Sequence, residues 1–228
     1  MSVSIAQRLQ EVQRKIDQAC DAAGRAPSEV TLVAVSKTRP AQMILTAATA
    51  GQVHFGENYA QELRDKAKEF EEATHSISWH YIGRLQKNKA KYVAPNAYRV
   101  HTLEHVDQVH ALLKRAPQGI DGLIAINVGR ESQKSGVLPE DVLSTAQEFA
   151  KVSGCRIHGL MCIPPATPSP EDTAPYFEEM QYLLQSGKNA GHPWEELSMG
   201  MSADFHVAVR YGATWVRVGT AIFGPRTP

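Results

Sequence analysis

From the amino end, apolar side chains first recur as Ile5, Leu9, Val12, Ile16 and Cys20, at steps of four, three, four and four. Arg8, Glu11, Arg14, Lys15 and Asp17 fill the gaps, so the pattern predicts an amphipathic helix closing near Gly24. It then changes character. Val30-Thr-Leu-Val-Ala-Val35 is a run of apolar and β-branched residues with no polar alternation, as expected of a strand covered on both faces in a parallel sheet.

The two patterns alternate from there on. Predicted helices over about 40–50, 58–74, 86–93, 104–115, 139–151, 171–189 and 203–211 are separated by short strand candidates. Those candidates are Val53–Phe55, Ser78–Ile82, Ala97–Val100, Gly122–Val128, Cys155–Leu160, Glu196–Ser198 and Ala213–Val218. Eight strands alternating with helices, behind one leading helix, exceed the usual open doubly wound sheet. They predict an α/β chain forming a single (β/α)8 TIM barrel over 1–228, with an extra N-terminal helix.

Composition narrows the class of protein. In 228 residues, 43% hydrophobic content with 16 Gly and 13 Pro excludes disordered and collagen-like chains. Twenty-four basic side chains balance 24 acidic ones, so net charge gives no reason to expect nucleic acid or an acidic membrane as partner. No apolar run approaches the length of a membrane span, and the N-terminus turns charged too early for a signal peptide. Cys20, Cys155 and Cys162 are an odd number at no framework spacing, which fits a reducing compartment. The expectation is a soluble, cytoplasmic chain.

Candidate chemistry clusters at the carboxyl ends of the predicted strands, where barrel active sites lie. Lys37 leaves the first strand there, within Ala34-Val-Ser-Lys-Thr-Arg39. Partial desolvation at a barrel mouth disfavours the ammonium and frees an amine for Schiff-base chemistry; the plainer reading is a lysine that snorkels to solvent. The seventh and eighth loops, Leu197-Ser-Met-Gly-Met-Ser202 and Val216-Arg-Val-Gly-Thr-Ala-Ile-Phe-Gly224, fall where such barrels bind phosphate. Gly219 lets backbone approach an anion closely, and Ser202 and Thr220 add hydroxyl donors. An amine opposite a phosphate cup suggests pyridoxal 5′-phosphate (PLP). Arg217 beside the ring nitrogen would keep that nitrogen unprotonated and weaken the cofactor as an electron sink; its plainer reading is an ion pair at a strand end.

Other features carry less. The loop 163–175 holds five prolines and either walls the site or is a stiff surface connection. His101-Thr-Leu-Glu-His105 spells an inverted zinc-protease motif, but the motif needs both histidines on one helical face, and His101 falls where the fourth strand ends. Lys87, Lys89 and Lys91 beside Tyr92 read as a solvated helix face, and Cys162 as a packed thiol.

With these residues in view, the chain resembles the pyridoxal phosphate homeostasis proteins, which share the barrel of the alanine racemase N-terminal domain. The resemblance is carried by Val35-Ser-Lys-Thr38, Phe55-Gly-Glu-Asn-Tyr59, Ile82-Gly-Arg-Leu-Gln-Lys-Asn-Lys89, Lys134-Ser-Gly136, Gly159-Leu-Met161 with Ile163-Pro164, and both late loops. It implies that Lys37 carries PLP as a Schiff base and that Ser202, Gly219 and Thr220 bind the phosphate. It further implies Arg217 beside the pyridine ring and Asn58 close to it. The stretches 99–101 and 130–134 depart from the family pattern, so no role passes to His101 or Lys134.

The related racemases add a second domain that supplies a tyrosine base to the partner's site. The sequence stops at Pro228, a few residues past the eighth strand, and none of its tyrosines is placed as a counter-base. The reading is therefore a monomeric PLP carrier acting in vitamin B6 homeostasis rather than an enzyme. It would buffer the aldehyde, pass it to apo forms of PLP-dependent enzymes, and so bear on amino-acid metabolism. Two alternatives stand: a PLP-dependent amino-acid racemase or lyase, and a barrel binding another phosphorylated metabolite.

Overall fold

The computed structural model describes residues 3–71 and 76–225. Eight parallel strands close into a barrel in chain order: β1 (Thr31–Val35), β2 (His54–Glu57), β3 (Ser78–Tyr81), β4 (Arg99–Leu103), β5 (Ile120–Ile126), β6 (Cys155–Cys162), β7 (Glu196–Ser198) and β8 (Trp215–Val218). All eight expected strands are present. Closure is made by β8 against β1, with Leu32 opposite Val216 and Val33 opposite Arg217.

The helices are α1 (Ile5–Ala22), α2 (Ala41–Thr49), α3 (Ala60–Glu69), α4 (Ala90–Val93), α5 (Val106–Leu113), α6 (Val142–Ala150), α7 (Ala174–Asn189), α8 (Phe205–Arg210) and the one-turn α9 (Thr220–Phe223). A capping box opens α1: Gln7 N–H donates to Ser4 Oγ at 3.2 Å and Ser4 N–H donates to Gln7 Oε1 at 2.9 Å. Leu9, Val12, Ile16, Ala19 and Cys20 are its buried face. That face packs against α2, α8 and α9. The leading helix therefore fills the gap between α8 and α2 that the short α9 cannot cover. It completes the outer ring.

Most boundaries shift from expectation by one to three residues, and a few bear on the site. The fourth strand runs to Leu103, because its pairing with β5 continues as far as Leu103 opposite Ile124, while Thr102 Oγ1 donates to Gly83 O at 2.6 Å on the β3 side. His101 thus lies inside β4 and not at its end. The helix expected from 203 begins at Phe205, since Asp204 Oδ1 takes the Met201 N–H at 2.6 Å and holds a turn ahead of it. The helix expected over 58–74 ends at Glu69. Its last part, 72–74, lies outside the described residues, as do the first two residues and the end of the chain at 226–228.

Side chains alternate across each strand, so the barrel has an outer and an inner layer. On β5, Ile124 and Ile126 join the main core under the helices, while Leu123 and Ala125 form a separate apolar cluster with Met161 of β6. On β8, Val216 and Val218 face that main core and Arg217 belongs to the other face. Among the described residues, no helix is long and apolar enough to cross a membrane.

Candidate functional site

The carboxyl ends of β2 to β6 surround a cavity of about 400 Å³, lined among others by Asn58, Gly83, Thr102, Glu104, Asn127 and Lys134. Asn58 is the one predicted site residue in that lining. Its backbone is pressed against Gly83, where an added Cβ would stand 1.9 Å from the Asn58 carbonyl oxygen. The β3 turn therefore requires glycine to let Asn58 sit at the rim.

Lys37 is half-buried in the turn after β1, and two buried supports hold its neighbours. Glu57 Oε1, at the end of β2, accepts from Ser36 Oγ at 2.7 Å and from Lys66 Nζ at 2.7 Å. Lys66 also donates to Ser36 O at 2.8 Å and to Glu62 Oε1 at 2.6 Å, and Glu62 takes the Thr38 N–H at 2.7 Å. Thr38 sits at a φ of 61°, which a threonine adopts only when its surroundings fix it. Burial pushes the Glu57 carboxyl up from its ordinary value, against the pull of Lys66. The sequence reading missed this support. Glu57 adjoins Asn58 in a recognised motif, but nothing local marks Lys66 among the charges of α3.

The β1–β8 pairing brings the remaining predicted groups beside Lys37's strand. Gly219 packs on Val35, where a Cβ would lie 3.1 Å from the Val35 carbonyl oxygen. Thr220 begins α9, and Ser202 stands exposed in the β7–α8 turn. That turn is docked on β8 by Arg217 N–H donating to Gly200 O at 3.0 Å. The Met201 amide is already used by Asp204, so an anion there would meet Ser202 and the Gly219–Thr220 amides.

Arg217 is buried, yet its partners are neutral: Nη1 donates to Ser198 Oγ at 2.7 Å and Nη2 to Cys162 O at 2.8 Å. The strand-end ion pair of the plainer reading is not formed among the described residues. The Cys162 thiol is pushed up to about 12 by burial, so it stays protonated and packed.

The remaining sequence features also have places. Ile163 lines the cavity and Pro164 O accepts from Lys134 Nζ at 3.2 Å, so the start of the proline-rich loop walls the mouth. Its later part turns outward, where Glu171 pairs with Arg210 of α8. His101 is buried in β4 while His105 precedes α5, so the two do not share a helical face. Lys87 pairs with Asp107 at 2.8 Å, while Lys89 and Lys91 gather over the Tyr92 ring at 5.9 and 4.9 Å.

A lysine at the end of β1, a glycine cradle after β8 and a closed parallel barrel define a class. The family described as alanine racemase, N-terminal domain, matches residues 8–227. The pyridoxal phosphate homeostasis protein of Pseudomonas aeruginosa is 39% identical over 226 residues, 98% of this chain and 96% of its own. That of Escherichia coli K12 is 39% identical over 232 residues, covering 97% of each. The chain belongs to the pyridoxal phosphate homeostasis protein family. PipY of Synechococcus elongatus, solved with PLP bound, superimposes with a TM-score of 0.83 at 31% identity, covering 97% of this chain and all of that one.

Proposed function

We propose that this chain binds PLP at the barrel mouth and keeps it in reserve for PLP-dependent enzymes, in the cytoplasm and as a single-domain monomer. The chemistry PLP supplies is an aldehyde that condenses reversibly with a primary amine, releasing one water. Lys37 Nζ is the amine. Ser202, Gly219 and Thr220 receive the phosphate, Arg217 faces the ring nitrogen, and Asn58 stands beside the ring. The donor set suits the ligand: hydroxyls and amides for phosphate, a permanent cation for an unprotonated pyridine nitrogen, and a glycine where a Cβ would crowd the backbone.

The observation that carries this reading is the β1–β8 register. Val33 opposite Arg217 and Ala34 opposite Val218 put the Lys37 turn next to Gly219 and Thr220. The family's homeostasis role supports a carrier over a racemase, and so does the arginine. By leaving the ring nitrogen unprotonated, Arg217 favours holding the cofactor over stabilising a carbanion on it.

The test is spectroscopic. Protein loaded with PLP should show a visible band that Lys37→Ala loses, with affinity falling at least tenfold. A band unchanged by that substitution would remove Lys37 from the reading. Loaded protein is then given single amino-acid enantiomers and, separately, an apo PLP-dependent enzyme. Transfer without steady turnover supports the carrier; steady turnover replaces it with the racemase or lyase.

A further inference from the structure

An unbroken run of side-chain hydrogen bonds crosses the barrel interior from the floor to Arg217. His54 Nδ1 lies 3.0 Å from His80 Nε2, and His80 Nδ1 lies 2.8 Å from His101 Nε2. His101 Nδ1 lies 2.8 Å from Ser198 Oγ, which accepts from Arg217 Nη1 at 2.7 Å. His80, His101 and Ser198 are fully buried; His54, at the start of β2, is half-exposed. Five strands contribute one member each.

Counting protons fixes the order along this run. Arg217 can only donate, Ser198 has one hydroxyl proton, and a neutral imidazole has one N–H. If Ser198 donates to His101 Nδ1, the His101 proton sits on Nε2 and faces His80 Nδ1. His80 then donates from Nε2 to His54 Nδ1, and every link holds one proton. In the opposite order Ser198 accepts from both sides, and its own buried proton is left without an acceptor among its partners. An unpaired buried donor biases the balance by roughly tenfold against that order.

The surroundings keep the rings neutral. Burial lowers all three histidines, and Arg99 of β4 adds to the effect at each, with Arg217 of β8 adding at His101. Glu196 of β7, which shares Arg99 and Trp215 with this floor, is taken up by Arg99 and by Trp215 Nε1 at 2.9 Å. Tyr98 packs its ring on His54 and His80, and Trp215 on all three histidines.

We infer that Ser198, His101, His80 and His54 form a polarised positioning chain for Arg217, with all three rings in the Nε2–H form. In this order each ring turns its acceptor nitrogen toward Arg217. Oriented dipoles thus replace a carboxylate beside the buried guanidinium. A carboxylate would neutralise the arginine and compete for its N–H groups. The imidazole chain holds it in place and leaves it charged toward the mouth. The functional consequence rests on Arg217 facing the ring nitrogen of PLP; the proton order does not.

The proton order is read by nitrogen NMR on protein with labelled histidine and no cofactor, at neutral pH, each ring assigned through a His→Gln variant. Each of the three should show a protonated Nε2 and a bare Nδ1. A protonated Nδ1 on His101, or a mixture, would overturn the chain. Arg217→Met removes the donor on Ser198 Oγ and leaves space for a water that can take the Ser198 proton, so both orders become open and His54, far across the barrel, should become a mixture. An ordered His54 in that variant would show that Arg217 does not set the order.

The positioning role is read with PLP added. His101→Phe breaks the chain and should weaken PLP about tenfold and move the pH midpoint of its visible band. His101→Gln, whose amide offers an acceptor and a donor in the same order, should restore both. Unchanged binding and midpoint in His101→Phe, or no recovery in His101→Gln, would refute positioning. Failure of the PLP reading itself would appear separately, as loss of cofactor binding with the wild-type ring signals intact.

Discussion

The inside of this barrel is divided between two kinds of filling. On β5 and β6 the interior cluster is apolar, made of Leu123, Ala125 and Met161. On β2, β3, β4, β7 and β8 it is a line of histidines, a serine and an arginine joined by hydrogen bonds. Apolar filling is judged by volume, so one side chain can be exchanged for another of similar size. Polar filling is judged by matching donors to acceptors, and one wrong partner strands the next. The first side contributes stability; the second fixes a charge in a place where stability alone would not put one.

The largest expected effect comes from the polar side, at the support beneath Lys37. Lys66→Met leaves Glu57 buried without its cation and should cost about 3–5 kcal/mol, read from the urea midpoint. A loss below about 1 kcal/mol would mean that the Glu57 carboxyl is not held as an ion. On the apolar side, Leu123→Ala should cost about 3 kcal/mol through lost burial and the cavity left behind, while leaving the histidine signals as they were. Disturbed ring signals would show that the two halves are coupled.

The smallest effect separates the halves by pH. His80 and His101 are held well below their ordinary value of 6.5 by burial, so the unfolded chain binds protons that the folded barrel refuses. Their contribution is fully present above about pH 6.5 and is lost as pH falls below it, at up to about 1.4 kcal/mol per unit for each histidine. Urea midpoints between pH 7 and 5.5 should fall in the wild type and fall less steeply in His80→Phe. An equal slope in that variant would assign the acid sensitivity elsewhere. Asp121, lowered to about 2 chiefly by its hydrogen bond to Arg156, titrates below this window.

What could be read in advance follows the same division. Strands such as Val30–Val35 announce themselves because burial on both faces leaves no polar alternation in the run. The placement of Lys37 after the first strand and of Gly219 after the last was legible, and a barrel is what gives such positions meaning. Lys66 was not, since Glu62, Arg64, Asp65, Lys66, Lys68 and Glu69 look alike along a charged helix until one side chain turns inward. His54, His80 and His101 share no local period either. Only the pairing of β2, β3 and β4 makes them neighbours, closure of the barrel then brings Ser198 of β7 against His101, and the fourth strand's true end decides that His101 is among them.

That closure has a consequence in time. The strand carrying Lys37's turn is the first of the eight, and the strand carrying Arg217 and leading to Gly219 is the last. Synthesis delivers the amine early and its companions only after the rest of the barrel, with a long loop between them to be closed. A half-made chain can have a lysine, but it cannot have this site. On the proposed reading, cofactor held at the mouth would therefore report a finished barrel, and nascent or truncated chains would hold the aldehyde no better than any exposed lysine does.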